Sequence, residues 1–242
     1  MPTIQINPTQ GKRFAASSFS GAGTDWNSIH DGTTATMSDQ DANFNIWASF
    51  TSAFGFTFHY INRYANDFDL SGLPAGATIT AATLNLYGNS WPNTDVNFHI
   101  IEGTFDSSLA ADDFNNFTGY ASGWDGDDVT DYADEVTTGD WDETDFNEIT
   151  LNSTAITALQ SAFDGGTRFK VMYMTENDYE DTSAVAGGSG VSLGVEWHTI
   201  GNADSAKHPY LEITYTAAAL LDGPLALRNG KLNILAGRLV IK

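Results

Sequence analysis

"FDLSGLPAGATITAATLNLYG", residues 68–88, is the stretch whose reading decides the fold. Pro74-Ala75-Gly76 sets one φ and then supplies a residue tolerant of positive φ, which marks a turn. Beyond it, Ala82, Leu84 and Leu86 alternate with Thr83, Asn85 and Tyr87. A period of two predicts a strand with one buried face. The alternation recurs outward from there. Phe54, Phe56, Phe58 and Tyr60 precede it; Val96, Phe98 and Ile100 follow, then Phe169, Val171 and Tyr173. Val191, Leu193, Val195 and Trp197, and finally Leu211, Ile213 and Tyr215, complete the series. One segment has a different period. Asn152 or Ser153 is placed to cap a helix with the stripe Ala155, Ile156, Leu159, Ala162 and Phe163, which Gly165-Gly166 ends. Many strands and one short helix predict an all-β, antiparallel β-sandwich.

Residues 106–148 interrupt this series with fourteen acidic side chains and no Lys or Arg. Trp124, Trp141, Phe114, Phe117 and Tyr120 are spread among them, too many aromatics for a disordered acidic tail. A long, partly ordered excursion between sheets is expected.

The 242 residues carry a formal net charge of −21. Such self-repulsion disfavours nucleic acid and anionic lipid as partners. No run of eighteen apolar residues predicts a membrane span. The start, "MPTIQINPTQGKRF", has no apolar core after a basic segment, so it does not read as a classical signal peptide. With no cysteine, disulfides and cysteine-based zinc sites are excluded.

Four phrases, in order and spacing, carry a resemblance: residues 68–88; "FHIIEGTF" (98–105); "FNEITLNSTAITAL" with "GGTRFKVM" (146–172); and "HPYLEITYT" (208–216). Together they resemble the DNRLRE-type domain, which is similar to carbohydrate-binding module family 96. The resemblance spans roughly residues 63–216. It implies a jelly-roll-like sandwich serving as an extracellular display module, sometimes glycan-binding, as in bacterial surface and phage structural proteins. An enzyme is not implied, and no binding residue is carried over from the family.

Candidate chemistry is sparse. Asp125, Asp127, Asp128 and Asp131 offer clustered oxygens of the kind Ca2+ takes, but Thr130 and Val136 stand where an EF-hand loop needs Gly and Glu. The weighed alternative is a solvated acidic loop, and no cofactor is expected. Five histidines show no metal spacing, and no GxSxG, P-loop or GxGxxG motif occurs. A non-enzymatic protein is expected. Trp91, Trp124 and Trp141 are the candidates for stacking on sugar rings.

The chain ends in "RNGKLNILAGRLVIK", residues 228–242. Residues 1–216 carry −24 and residues 217–242 carry +3, so the tail is electrostatically a separate object. Residues 217–224 read as a linker between the display domain, 1–216, and a C-terminal β segment, 225–242. Asn229-Gly230 and Ala236-Gly237 are hairpin turns that predict a three-stranded meander. Leu225, Leu227, Leu232, Ile234, Leu239 and Ile241 share one face, and Arg228 and Arg238 lie at strand ends. So small a sheet needs a surface against its apolar face. That surface is either its own sandwich or another chain. A display domain without a leader points to assembly inside a cell, hence to a phage virion component: a head-decoration, head-fibre or tail-fibre subunit at the virion surface, homo-oligomeric and bound to other virion proteins through the β segment. The second reading is an extracellular or cell-surface carbohydrate-binding module with a polysaccharide partner.

Overall fold

The alternation in residues 78–89 is realised as a strand, and ten others join it. The computed structural model describes residues 1–20, 26–32, 35–38, 43–53, 56–90, 96–106, 108–121, 123–137, 139, 141–182, 191–218, 233–235 and 238–240. The strands are β1 (Thr3–Ile6), β2 (Pro8–Ser20), β3 (Thr36–Ser38), β4 (Asn43–Ala53), β5 (Phe56–Asp69), β6 (Thr78–Asn89), β7 (Phe98–Glu102), β8 (Phe146–Thr150), β9 (Arg168–Thr175), β10 (Val191–His198) and β11 (Tyr210–Thr216). A separate pair is β12 (Asn233–Leu235) and β13 (Arg238–Val240). Three α-helices intervene: α1 (Trp26–His30), α2 (Ser153–Gly165) and α3 (Glu176–Tyr179).

All named pairings are antiparallel. The front layer runs β1-β11-β6-β8. Behind it, β5 organises the second layer. Its one edge pairs with β2 throughout; the other meets β4 up to Asn62 and β9 from Tyr64 onward. The back layer therefore forks at Arg63. β7 extends the β9 branch, and β10 joins the β4 branch to β6 at Gly88 and Asn89. The result is an all-β antiparallel sandwich.

Strand periodicity assigns the two faces. Ala82, Leu84, Leu86, Leu211 and Ile213 of the front layer meet Tyr64, Phe68, Phe98, Phe169 and Tyr173 of the back layer in one buried cluster. α2 covers one opening of this core with Ala155, Leu159 and Ala162. Asn152 is its N-cap, accepting from the Ala155 N–H at 3.0 Å, and Gly166 ends it in the left-handed region at φ 63°.

The odd-numbered side chains of β5 face the other way, into a second core. Ile61 and Ala65 pack there with Phe14, Met172, Met174, Phe105, Phe114, Phe117 and Trp124. The acidic excursion is thus a lid across the outer face of the back layer, held by its aromatics. α1 and α3, which the helical period did not announce, belong to this outer layer. Both are too short to display an amphipathic stripe.

Candidate functional site

A cleft of about 740 Å3 lies where α2 ends and β9 begins. Small side chains on α2, Ala158, Ser161 and Ala162, leave the space open, and Glu102, Arg168 and Lys170 contribute its ionic groups. Each of these is already engaged. Arg168 Nη1 donates to Asp67 Oδ2 at 2.8 Å, and Asp67 is fully buried. Lys170 donates to the Phe105 carbonyl, and Glu102 accepts from the Thr118 hydroxyl. Tyr132 hydrogen-bonds Glu102 too, and burial together with that carboxylate pushes its phenol well above the ordinary range. Of the three ionic groups only Arg168 is ion-paired, while Lys170 and Glu102 are held by neutral partners. Ser161, Thr167 and Tyr132 add hydroxyls to a lining that is about half apolar.

A second groove, of about 350 Å3, follows the outer edge of β8. Val136, Trp141, Phe146 and Ile149 form its apolar part, and Asp142 and Glu148 its rim. Asp142 accepts from the Thr144 N–H and hydroxyl, which holds its carboxyl below the usual range. Trp141 is half-buried and packs edge-on against Phe98 at 5.7 Å. Its indole N–H lies against Gly88, where a Cβ would come within 2.9 Å of Nε1 and 1.9 Å of the Asp142 carbonyl. Only glycine fits there.

The outer layer contains the densest polar network. Arg63, 0% exposed, donates from Nε and Nη2 to the two carboxylate oxygens of Asp178, both at 2.7 Å. Nη1 donates to the Phe114 carbonyl and to Asn115 Oδ1, and Nη2 also reaches the His30 carbonyl. The guanidinium lies 4.0 Å from the Phe114 ring centroid and 5.2 Å from that of Trp124. His30 stacks on Trp124 at 4.3 Å. Beside this network, His99 lies flat on Tyr179, with centroids 3.6 Å apart, and Tyr179 donates to Asp131 Oδ2 at 2.6 Å. Burial holds the His99 imidazole down at about 4 and raises the Asp131 carboxyl.

The sequence candidates fall out as follows. Trp124 is 1% exposed, beneath Arg63 and against Phe117, so it offers no ring face to a sugar. Trp141 lines the β8 groove. Trp91 lies outside the described residues. Asp125 and Asp128 accept backbone N–H groups within their own turn, and Asp131 is bound to Tyr179. Among the described residues no group of three or more His, Asp or Glu is arranged to hold a metal ion. In the tail, Asn233–Val240, Ile234–Leu239 and Leu235–Arg238 pair across Ala236-Gly237, the hairpin expected there. The strand expected at Leu225, Leu227 and Arg228, together with Leu232 and Ile241, lies outside the described residues. The sequence holds two glycosylation sequons, Asn116-Phe117-Thr118 and Asn152-Ser153-Thr154, and both asparagines are engaged: Asn116 donates to Asp113 and Asn152 caps α2.

Sequence reasoning passed over Arg63. The available signal was one of only six cations in residues 1–216, set inside the apolar run "YINRYANDF". Among the described residues no helix is long and apolar enough to cross a membrane. No protein-family model matches the chain, and no curated protein matches it.

Proposed function

We propose that this chain is a non-catalytic structural protein, a virion component whose β-sandwich is displayed and whose C-terminal β segment attaches it to an assembly. The observation that carries this reading is that, among the described residues, β12 and β13 pair with each other in a sheet distinct from the eleven-stranded one. A two-stranded sheet is marginal in water and calls for a covering surface. Two further features support it. Among the described residues Met1 is the one large apolar side chain that is well exposed. The placement in a virion follows from the display-type resemblance of residues 68–88, 98–105, 146–172 and 208–216. Deletion of residues 217–242 leaves a folded acidic monomer by sedimentation velocity, whereas the full chain sediments as an oligomer. Equal sedimentation of the two sinks the attachment role. An antibody against residues 1–216 labels intact virus particles from the source culture, and labelling confined to cell surfaces sinks the virion placement.

The 740 Å3 cleft favours a second reading, a glycan-binding module, because hydroxyls of Ser161, Thr167 and Tyr132 line it beside ionic groups already held in intramolecular hydrogen bonds. Its size lies within the range of small-molecule sites, about 300–1,000 Å3. A titration with neutral trisaccharides, followed by amide shifts, moves Ser161, Thr167 and Gly103 with dissociation constants of roughly 1 mM or tighter. Ala158→Trp, which fills the cleft, abolishes the shifts. Unmoved cleft amides with every trisaccharide count decisively against this reading.

A further inference from the structure

We infer that the outer face of the front layer, where the rings of Tyr87, Phe146 and Tyr210 stand together, binds an amino sugar, a pyranose chain carrying protonated amines. The site lies apart from the cleft at the end of α2 and does not depend on it.

The alternation that buries Leu84, Leu86, Ile149 and Leu211 turns their chain neighbours outward. Register then decides which of these meet. Tyr87 pairs with Phe146, Asn85 with both Tyr210 and Glu148, and Gln5 with Glu212, so all share one face. The Phe146 ring takes Tyr87 edge-on at 5.2 Å and Tyr210 at 5.1 Å. All three rings are half-buried, so part of each stays within reach of a ligand. A hollow of about 310 Å3 is lined by Phe146 and Tyr210 with Gln5, Asn7, Ser205 and His208. Phe146 also lines the β8 groove, which holds Trp141. Rings in both hollows match the apolar C–H faces of successive pyranoses.

The polar groups of the hollow are mostly acceptors. Asn7 donates its amide N–H to the Pro209 carbonyl at 3.1 Å, and Gln5 donates to Glu212 Oε2 at 3.4 Å. His208 Nε2 faces the Asn202 carbonyl at 2.8 Å. A carbonyl only accepts, so Nε2 carries the hydrogen and the neutral ring offers Nδ1 as an acceptor. The amide oxygens of Asn7 and Gln5 and the Ser205 hydroxyl join it. Charge points the same way. Glu212, Glu148 and Asp145 all bear on the Tyr210 phenol and, after burial, hold it above its ordinary value. Neither hollow is lined by Lys or Arg. Lys207, beside them, has its ammonium 4.8 Å from the Tyr87 ring centroid, the kind of contact this row of rings offers a ligand amine.

These features select the occupant. An anionic ligand meets carboxylates. A strand bearing leucine and isoleucine, such as the chain's own C-terminal segment, would bury the acceptors of Asn7, Gln5 and His208 with nothing to donate to them. Strand-like peptides gain their affinity at a sheet edge, whereas β11 and β6 are paired along both edges here. A neutral sugar supplies ring faces and hydroxyls but leaves the carboxylates unmatched. An amino sugar supplies ring faces, hydroxyl donors and ammonium groups together.

The test titrates the full-length chain, labelled with heavy nitrogen, with a glucosamine trimer at a pH that keeps its amines protonated. The amides of Asn7, Glu148 and Tyr210 should shift, with a dissociation constant of roughly 1 mM or tighter. The N-acetylated trimer keeps the rings and hydroxyls but loses the charge, and should bind more weakly by about tenfold. Tyr210→Ala should weaken the amine trimer by about tenfold, and so should Glu148→Gln combined with Glu212→Gln. Equal shifts with trilysine would reduce the effect to charge attraction, and equal affinity for the N-acetylated trimer would leave the carboxylates without a role. Either overturns the inference, as does native affinity in either variant. Shifts confined to Ser161, Thr167 and Gly103 overturn it while leaving the glycan-binding reading of the cleft standing. Shifts that appear only after deletion of residues 217–242 would mean that the chain's own tail covers this face, which overturns it as well.

Discussion

Truncating Asp178 to alanine lowers the free energy of unfolding by about 3–5 kcal/mol, the usual result of leaving one partner of a buried ion pair alone. Arg63 and Asp178 are both fully buried, and the pair is bidentate. Water cannot replace the lost carboxylate, so the guanidinium charge stays uncompensated between aromatic rings. The effect spreads because Arg63 ties β5 to three outer segments at once, through the His30 carbonyl, the Phe114 carbonyl with Asn115, and α3. Urea unfolding followed by tryptophan fluorescence reads the loss directly, with Trp124 inside the network. Arg63→Met should cost a similar amount, since it strands Asp178. The double variant Arg63→Met with Asp178→Leu should be less destabilised than either single one, because replacing both partners by apolar groups removes the unpaired charge. A cost of about 1 kcal/mol or less for both single variants would mean that solvent reaches the site and the pair is not a clamp.

The position of Arg63 explains why it was hard to read. In a strand, the side chain after Asn62 points away from the sandwich core, and a solvated arginine is the ordinary expectation. What reverses it is the acidic excursion, which folds across that face from some fifty residues further along. Local pattern cannot report a cover so distant in sequence. The same holds for Trp124, which reads as readily as a ligand platform as it does as the core residue it is. β1 and β2 were missed for another reason. Pro8, Gly11, Lys12 and Arg13 interrupt any alternation, and pairing with β5 overrides their poor strand preference. By contrast, β6 and α2 were legible. Each has a clean period and unambiguous ends, Pro74-Ala75-Gly76 for the strand and Asn152 with Gly166 for the helix. The cleft and the β8 groove are tertiary objects. Ser161 and Arg168 are adjacent only because α2 turns back into β9 through Gly166.

Acid weakens this protein through His99. Burial holds its imidazole down at about 4, against 6.5 for an ordinary histidine, and Nε2 is buried with no hydrogen-bond partner. The unfolded chain therefore binds a proton that the native state refuses between those values. The contribution is complete above pH 6.5 and is lost as pH falls toward 4, up to about 3 kcal/mol. Asp131 acts in the opposite sense. Its carboxyl is raised by burial, so the native state takes up that proton more readily than the unfolded chain does. Tyr179 stays neutral throughout, its phenol pushed far up by burial and by Asp131. His99→Phe keeps a ring on the Tyr179 face and removes the titration. Urea unfolding at about pH 7.5 and about pH 4.5 should show the native protein losing more stability than the variant, by about 2 kcal/mol. Parallel losses in the two proteins would place the acid sensitivity in the thirty-one carboxylates rather than in this histidine. Should the native protein lose more, the outer layer is the part expected to loosen first, because Tyr179 on α3 is the neighbour against which a protonated His99 must be accommodated.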